Sequence, residues 1–247
     1  MSDHPAPRAI AACRNLGILF LLLLFAAPLA TRFGLISYRL GLPLTALAVL
    51  GAALVLIVVL ILLLRRRFQA HRSSLGMSAL IAALPVIVGI AVVAPGAGLP
   101  VIHDISTDSV DPPGFDAVLA LRGPAANPLV RDADTDAAQR AGYPGLHAIE
   151  SSLAPEAAFT RASHTARSLD WQIHATNAAR GTLEASETTF WFGFTDDIVI
   201  RVRPHNGGSR IDLRSVSRVG RGDLGANAKR IQRFSAAFDA SGKQETP

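Results

Sequence analysis

One cysteine, Cys13, stands in 247 residues, which excludes a disulfide framework and any cysteine-based metal site. It precedes the first apolar run, whereas a lipoprotein cysteine would follow one, so it reads as a free thiol on the cytoplasmic side. Acids are nearly missing from the first hundred residues, where Asp3 stands alone against eight arginines. The three long apolar runs in that half hold no acid, lysine or histidine. Ion pathways and proton relays need such groups at depth, so a pump or transporter is not expected of the monomer. No glycine–serine elbow of the hydrolase type occurs anywhere.

Apolar residues make up 50% of the chain, with a mean hydropathy of +0.33, and most of the excess lies before residue 100. The runs cover about residues 16–37, 42–64 and 75–99. Each approaches or exceeds the roughly 20 residues a spanning helix needs. Arg32 falls inside the first, where snorkelling would carry its charge to the interface. Pro85, Gly89 and Pro95 interrupt the third, a disturbance that transmembrane helices tolerate when neighbours satisfy the freed backbone groups. Phe25 and Pro28 occupy the positions where a signal peptidase wants small side chains, so the first run is expected to be a retained anchor. Gly51, Ala52, Gly76, Ala79, Ala83 and Gly89 serve either helix packing or as lipid-facing filler. Between the second and third runs, RRRFQAHR (65–72) carries four arginines. The positive-inside rule makes that loop cytoplasmic, which puts the N-terminus inside and everything after Pro100 outside, in the periplasm beyond a bacterial inner membrane.

The sequence pI near 10.3 suggests a nucleic-acid partner until the charges are divided. Residues 101–247 hold 16 basic and 18 acidic residues, so the basic excess belongs to the membrane-flanking segments and no nucleic acid is expected. The expected fold is α+β: three N-terminal transmembrane helices, then an antiparallel sheet meander flanked by helices. The membrane domain is taken as 1–100 and the extracytoplasmic domain as 101–247, with a long loop over 111–150 and a compact core over 155–240. Pro155 suits the first turn of a helix whose face is Phe159, Ala162, Ala166 and Leu169. Strands follow, with Trp171, Ile173 and Ala175, then Leu183 and Ala185, on the inward side. Ala178–Gly181 is the turn between them. Phe190, Phe192 and Phe194 are expected on one strand face as core packing, with Trp191 on the other. Ile198, Ile200 and Val202 alternate with Arg201 and Arg203; after a turn at 205–208, Ile211 and Leu213 alternate with Arg210, Asp212 and Arg214. A closing helix is expected to reach the sheet through Leu224, Ile231, Phe234 and Phe238. Such a meander buries one sheet face and can leave the other open to solvent.

Three groups invite chemical readings. Gly220-x-Gly222-x-x-Gly225 follows a strand and opens a helix, as a dinucleotide fingerprint does. It lacks the crossover to a parallel strand and the acid about 20 residues on, so no dinucleotide or other cofactor is expected. Asp223 is an N-cap for the helix, and Arg218 and Arg221 beside it could meet an anionic headgroup or tie back to Asp196, Asp197 or Asp212. His103, Asp104 and Asp108 lie close in sequence, but with no further ligand at helical spacing they read as turn and solvated charge, and no metal is expected. Asp196 and Asp197 are neighbours on a strand, so they point to opposite faces and cannot share one site. Ser215 and Ser217 lack an oriented base. From Arg201 to Arg233 nine basic residues face two acids, a density that suits internal pairing or an exposed basic face.

The segment IHDISTD followed by Pro112-Pro113 and Phe115, then Tyr143-Pro144, Trp171, Glu184-Ala185, Phe194-x-Asp196-Asp197 and Arg201-Val202, with DLRSVSRVGRGDLGANAKRI, resembles domain-of-unknown-function family 1499. The resemblance spans about residues 101–240 and implies N-terminal membrane helices but no established activity. Its characteristic polar positions fall on His103, Asp104, Asp108, Asp196, Asp197, Arg201, Asp212, Arg214, Ser215, Ser217, Arg218, Asp223 and Asn227. The leading expectation is an envelope protein presenting a domain that binds an anionic lipid, an envelope polymer or a protein. The competing one is a membrane-anchored hydrolase or transferase using the Asp/Arg/Ser cluster.

Overall fold

The computed structural model describes residues 5–244; residues 1–4 and 245–247, at the ends of the two expected domains, lie outside the described residues. The chain divides into a unit of residues 1–95 with Phe190–Gly193, and a unit of 96–189 with 194–247.

Among the described residues the first unit holds three α-helices: α1 (Pro5–Arg32), α2 (Tyr38–Leu64) and α3 (Arg72–Val93), with a short 3-10 turn over Arg66–His71. All three are long and apolar enough to cross a membrane, with mean hydropathies of 2.1, 3.4 and 2.6. Each packs on the other two. The small residues divide between the two roles foreseen for them. A Cβ on Gly51 would come 2.3 Å from the Phe20 ring, and one on Gly89 would come 2.7 Å from Val49, so both permit close approach of helices. Gly76 has nothing within 4 Å and faces outward. Pro85 sits inside an uninterrupted α3. Hydroxyls in the helices are satisfied locally, Thr31 on the Ala27 carbonyl, Thr45 on Gly41 and Ser78 on Ser74, as an apolar environment requires.

In the second unit a six-stranded antiparallel sheet runs in the order β1-β6-β5-β4-β3, and β2 pairs β6 on the same edge as β1. The strands are β1 (Asp104–Ser106), β2 (Ile149–Ser151), β3 (Gln172–Asn177), β4 (Thr182–Thr188), β5 (Thr195–His205) and β6 (Gly208–Ser217). β5 and β6 form a hairpin whose two central residues, Asn206 and Gly207, both take positive φ, the geometry that matches strand twist. One face packs under α5 (Pro155–Ser168) and α6 (Ala226–Gln244). There Leu183, Ala185, Ile198, Ile200, Val202, Ile211 and Leu213 meet Phe159, Ala162, Ala166, Ile231, Phe234 and Phe238, all buried, with Trp171 stacked on Phe234.

The structure corrects four expectations. The segment 111–150 is not one loop: it contains a 3-10 turn (Ala117–Leu121), α4 (Ala133–Gly142) and β2. Asp132 caps α4 through the Thr135 N–H, and the apolar side of this short helix is made of alanines, of which Ala138 packs on the core. Phe190 and Trp191 are not core: they stand in the loop between β4 and β5, 68% and 46% exposed. Leu224 precedes α6 with φ of 52° and is half exposed, so it does not fasten that helix. Finally, the second sheet face is not open, because residues 108–131 cross it and are tied to it by ion pairs.

Candidate functional site

Strand alternation puts Glu184, Asp197, Arg201, Asp212 and Arg214 on the sheet face away from α5 and α6. Every one of these side chains is buried or nearly so, and each finds its partner in the crossing segment or in a neighbouring strand.

At one end Asp212, fully buried, accepts from Arg201 (3.2 Å), Arg203 (2.9 Å) and Arg210 (3.0 Å). Asp108 and Asp111 reach in from the crossing segment. Asp108 Oδ2 lies 3.3 Å from Arg201 and 3.1 Å from Arg203, and Asp111 Oδ2 accepts from both arginines at 3.1 and 2.8 Å. Three carboxylates thus balance three guanidinium groups. Burial works against the Asp108 charge, but the N–H groups of Asp111 and Val110 and the nearby Arg210 and Arg201 outweigh it and hold the carboxyl below its ordinary value.

In the middle Arg214 donates to both oxygens of Asp104, at 3.0 and 2.7 Å, and its guanidinium lies 5.4 Å from the Phe115 ring centre. Arg131 adds a bond to Asp104 Oδ1 (2.8 Å) and pairs with Asp136. Gln139 accepts from the Ser106 N–H (3.0 Å) and donates to the Ser106 carbonyl (2.6 Å), so a helix side chain completes the free edge of β1. Toward the other end Asp197, fully buried, is held by Arg218 and Arg122. Glu184 works differently, accepting from the backbone N–H groups of Asp116, Ala117 and Val118 at 2.9, 3.1 and 3.0 Å. Its carboxylate caps the start of the 3-10 turn.

The remaining predicted residues lie on the helix side. Asp196 accepts from Arg230 Nη2 at 2.6 Å; burial pushes its carboxyl above the ordinary value, with Arg230 and Ser217 pulling the other way. Arg230 also reaches Glu187 and donates to Ser215 Oγ and Asn227 Oδ1. Asn227 ties the cluster together: it accepts from Ser215 Oγ (2.6 Å) and donates to Ser217 Oγ (2.9 Å) and to the His103 carbonyl (3.1 Å). Asp223 caps α6 through the Gly225 and Asn227 N–H groups at 2.9 and 2.8 Å, so the glycine-rich turn presents capped donors.

The thirteen candidate positions therefore do not form one site. Asp104, Asp108, Asp197, Arg201, Asp212, Arg214 and Arg218 belong to the face crossed by 108–131; Asp196, Ser215, Ser217 and Asn227 belong to the helix side. Asp223 caps, and His103 contributes its carbonyl. Ser215 bonds the Asn227 amide and Arg230, and Ser217 bonds the Asn227 amide and the Asp196 carboxyl, which Arg230 also holds. Sequence reasoning missed Arg122, Arg131, Gln139, Glu184 and Arg230. Glu184 was legible in principle, because it alternates with the inward Leu183 and Ala185. Arg122 and Arg131 stand outside helix and strand, Gln139 and Arg230 stand on helices, and only the fold brings all four to their partners.

The profile of the protein family of unknown function DUF1499 matches residues 104–238, more than half of the chain. The chain belongs to the DUF1499 family. A comparison with curated proteins returns no match. The DUF1499 match begins at Asp104, on β1, and ends at Phe238, in α6, so it takes in both polar clusters.

Proposed function

We propose that this DUF1499 protein is a three-span anchor of a bacterial inner membrane carrying a periplasmic binding module, with its N-terminus in the cytoplasm. The arginine run at 65–72 supports that orientation. The membrane part is taken as 1–100 and the binding part as 101–247.

The observation that carries the binding reading is the pairing of Asp104, Asp108, Asp196, Asp197 and Asp212 with arginines. A hydrolase or transferase needs a carboxylate or hydroxyl with its acceptor capacity directed at substrate. Here those groups are spent on holding the domain together, and the candidate cluster acts as framework. Ligand contact falls instead to an open cleft of about 800 Å³ on the crossed face, floored by the framework residues Glu184 and Arg201 and lined also by Phe115, Thr176, Asn177 and Arg180. Arg180 is exposed there, and the cleft has the mixture of aromatic, amide and guanidinium groups that suits a polar or anionic ligand.

Two experiments test this. A reporter fused after residue 247 separates the orientations: active alkaline phosphatase agrees with a periplasmic C-terminus, and bright green fluorescent protein with a silent phosphatase overturns it. For binding, the solubilised protein and an Arg180→Glu variant are compared by affinity capture with lipid and protein mass spectrometry. A species recovered with the parent chain and lost with the variant is expected; recovery of nothing above background counts against the reading.

A further inference from the structure

The loop between β4 and β5 carries two aromatic side chains with no place in either core. Its base is well held: the Thr189 N–H donates to the Phe194 carbonyl at 2.8 Å, and the Phe194 N–H to Thr189 Oγ1 at 2.9 Å. Between them Phe190–Gly193 cluster with the helical unit. Phe190 and Trp191 meet edge to face with ring centres 5.2 Å apart, yet remain 68% and 46% exposed.

Their neighbours are the end of the first candidate span. Trp191 lies 5.6 Å from the ring of Phe25 in α1. Arg32, the last residue of α1, places its guanidinium 5.3 Å from the Phe190 ring centre and donates from Nη1 to the Phe190 carbonyl at 2.5 Å. Phe33 and Leu35, next along the chain, are 71% and 77% exposed. Leu22 and Phe25 on α1 are exposed as well, which is ordinary for a helix whose surroundings are acyl chains. The Phe190–Trp191 pair continues that apolar surface at the point where a basic residue ends the span. Tryptophan with an arginine at a span's end is the chemistry of the headgroup–acyl boundary, where an aromatic ring is buried and its polar edge stays wet.

We propose that Phe190 and Trp191 form a membrane-interface anchor whose partner is the lipid bilayer itself. Arg32 holds the loop to the end of α1 through the Phe190 carbonyl and the Phe190 ring. The proposal rests on the reading of α1 as a membrane span, and the test separates the two.

The full chain is reconstituted into phosphatidylcholine–phosphatidylglycerol bilayers with bromine on shallow acyl carbons, and tryptophan emission is compared with that in unbrominated bilayers. There are two tryptophans, and Trp171 is buried against Phe234 in the domain core. Quenching by bromolipid is expected in the parent chain and in Trp171→Phe, and it is expected to fall severalfold or vanish in Trp191→Phe. Equal quenching in the parent and Trp191→Phe, or none in either parent or Trp171→Phe, overturns the anchor. Resistance of the reconstituted protein to alkaline extraction is measured alongside. Loss of the protein under that treatment defeats the span reading, whereas retention without Trp191 quenching defeats the anchor alone.

Discussion

Asp104 and Arg214 meet through two parallel hydrogen bonds, 3.0 and 2.7 Å long, with each side chain only 5% exposed. They sit on β1 and β6, neighbouring strands, with Ser106 paired to Arg214 across the ladder. Such a bidentate pair has a fixed plane and direction, so it sets register as well as contributing energy. Arg131 joins the same carboxylate from the crossing segment, which makes Asp104 the point where strand pairing and loop docking meet.

Removing that carboxylate strands the buried Arg214 guanidinium and leaves Arg131 with Asp136. Asp104→Ala is expected to destabilise the domain by about 3–5 kcal/mol, the usual cost of breaking a buried pair from one side. Asp111→Ala is the control: its side chain is 64% exposed, so its loss is expected to cost about 0–1 kcal/mol. Denaturant midpoints followed through the near-ultraviolet signal of Trp171 distinguish the two.

Glu184 holds three backbone donors that no strand or helix satisfies. Glu184→Ala orphans all of them at roughly 1–3 kcal/mol for each buried donor. Amide exchange at Asp116, Ala117 and Val118 is expected to accelerate by about tenfold or more, while β5 and β6 keep their protection. Unchanged exchange at those amides would show that the cap does not hold the turn.

Gln139 imitates a strand by serving both the N–H and the carbonyl of Ser106. Gln139→Ala is expected to cost about 1–3 kcal/mol, because both backbone groups lose their partner in a buried place. Urea midpoints measure it, and faster exchange of the Ser106 amide gives the local signature.

Two carboxyls shift in opposite directions, which makes acid stability separable by variant. The Asp108 carboxyl titrates in the folded chain below its ordinary value of 3.8, so the unfolded chain binds the proton first. Its contribution is present above that value and is lost as pH falls through the folded one. The Asp196 carboxyl titrates above 3.8, so in the window just above that value stability rises as pH drops. Asp108→Asn is expected to flatten the loss of thermal midpoint below about pH 4. Asp196→Asn is expected to remove the rise that precedes it, read from midpoints across the acid range.

Much of this architecture can be read from residue order, for local reasons. Three apolar runs of bilayer length, charged only at Arg32, fix helices whatever surrounds them. Alternation in LEASE, IVIRV and IDLRS fixes strands and faces, and it separates Asp196 from Asp197 before any contact is known. The turn at Asn206-Gly207 and the cap at Asp223 follow from backbone preference alone. FWF in the β4–β5 loop misleads because alternation over three residues cannot distinguish a strand from a turn that displays its aromatics.

By itself the sequence determined the three apolar helices, the antiparallel meander, its inward apolar face and the presence of many arginines near few acids. Only the tertiary structure decided where those charges go. Asp104 meets Arg214 across 110 residues, Asp197 meets Arg122 across 75, and Glu184 meets the Val118 N–H across 66. Pairs so distant in sequence carry no periodicity, and their partners are chosen when β1 pairs with β6 and the 108–131 segment closes over the sheet. Burial then makes each mismatch cost several kcal/mol, which is why the face that local pattern leaves open is closed in the folded chain.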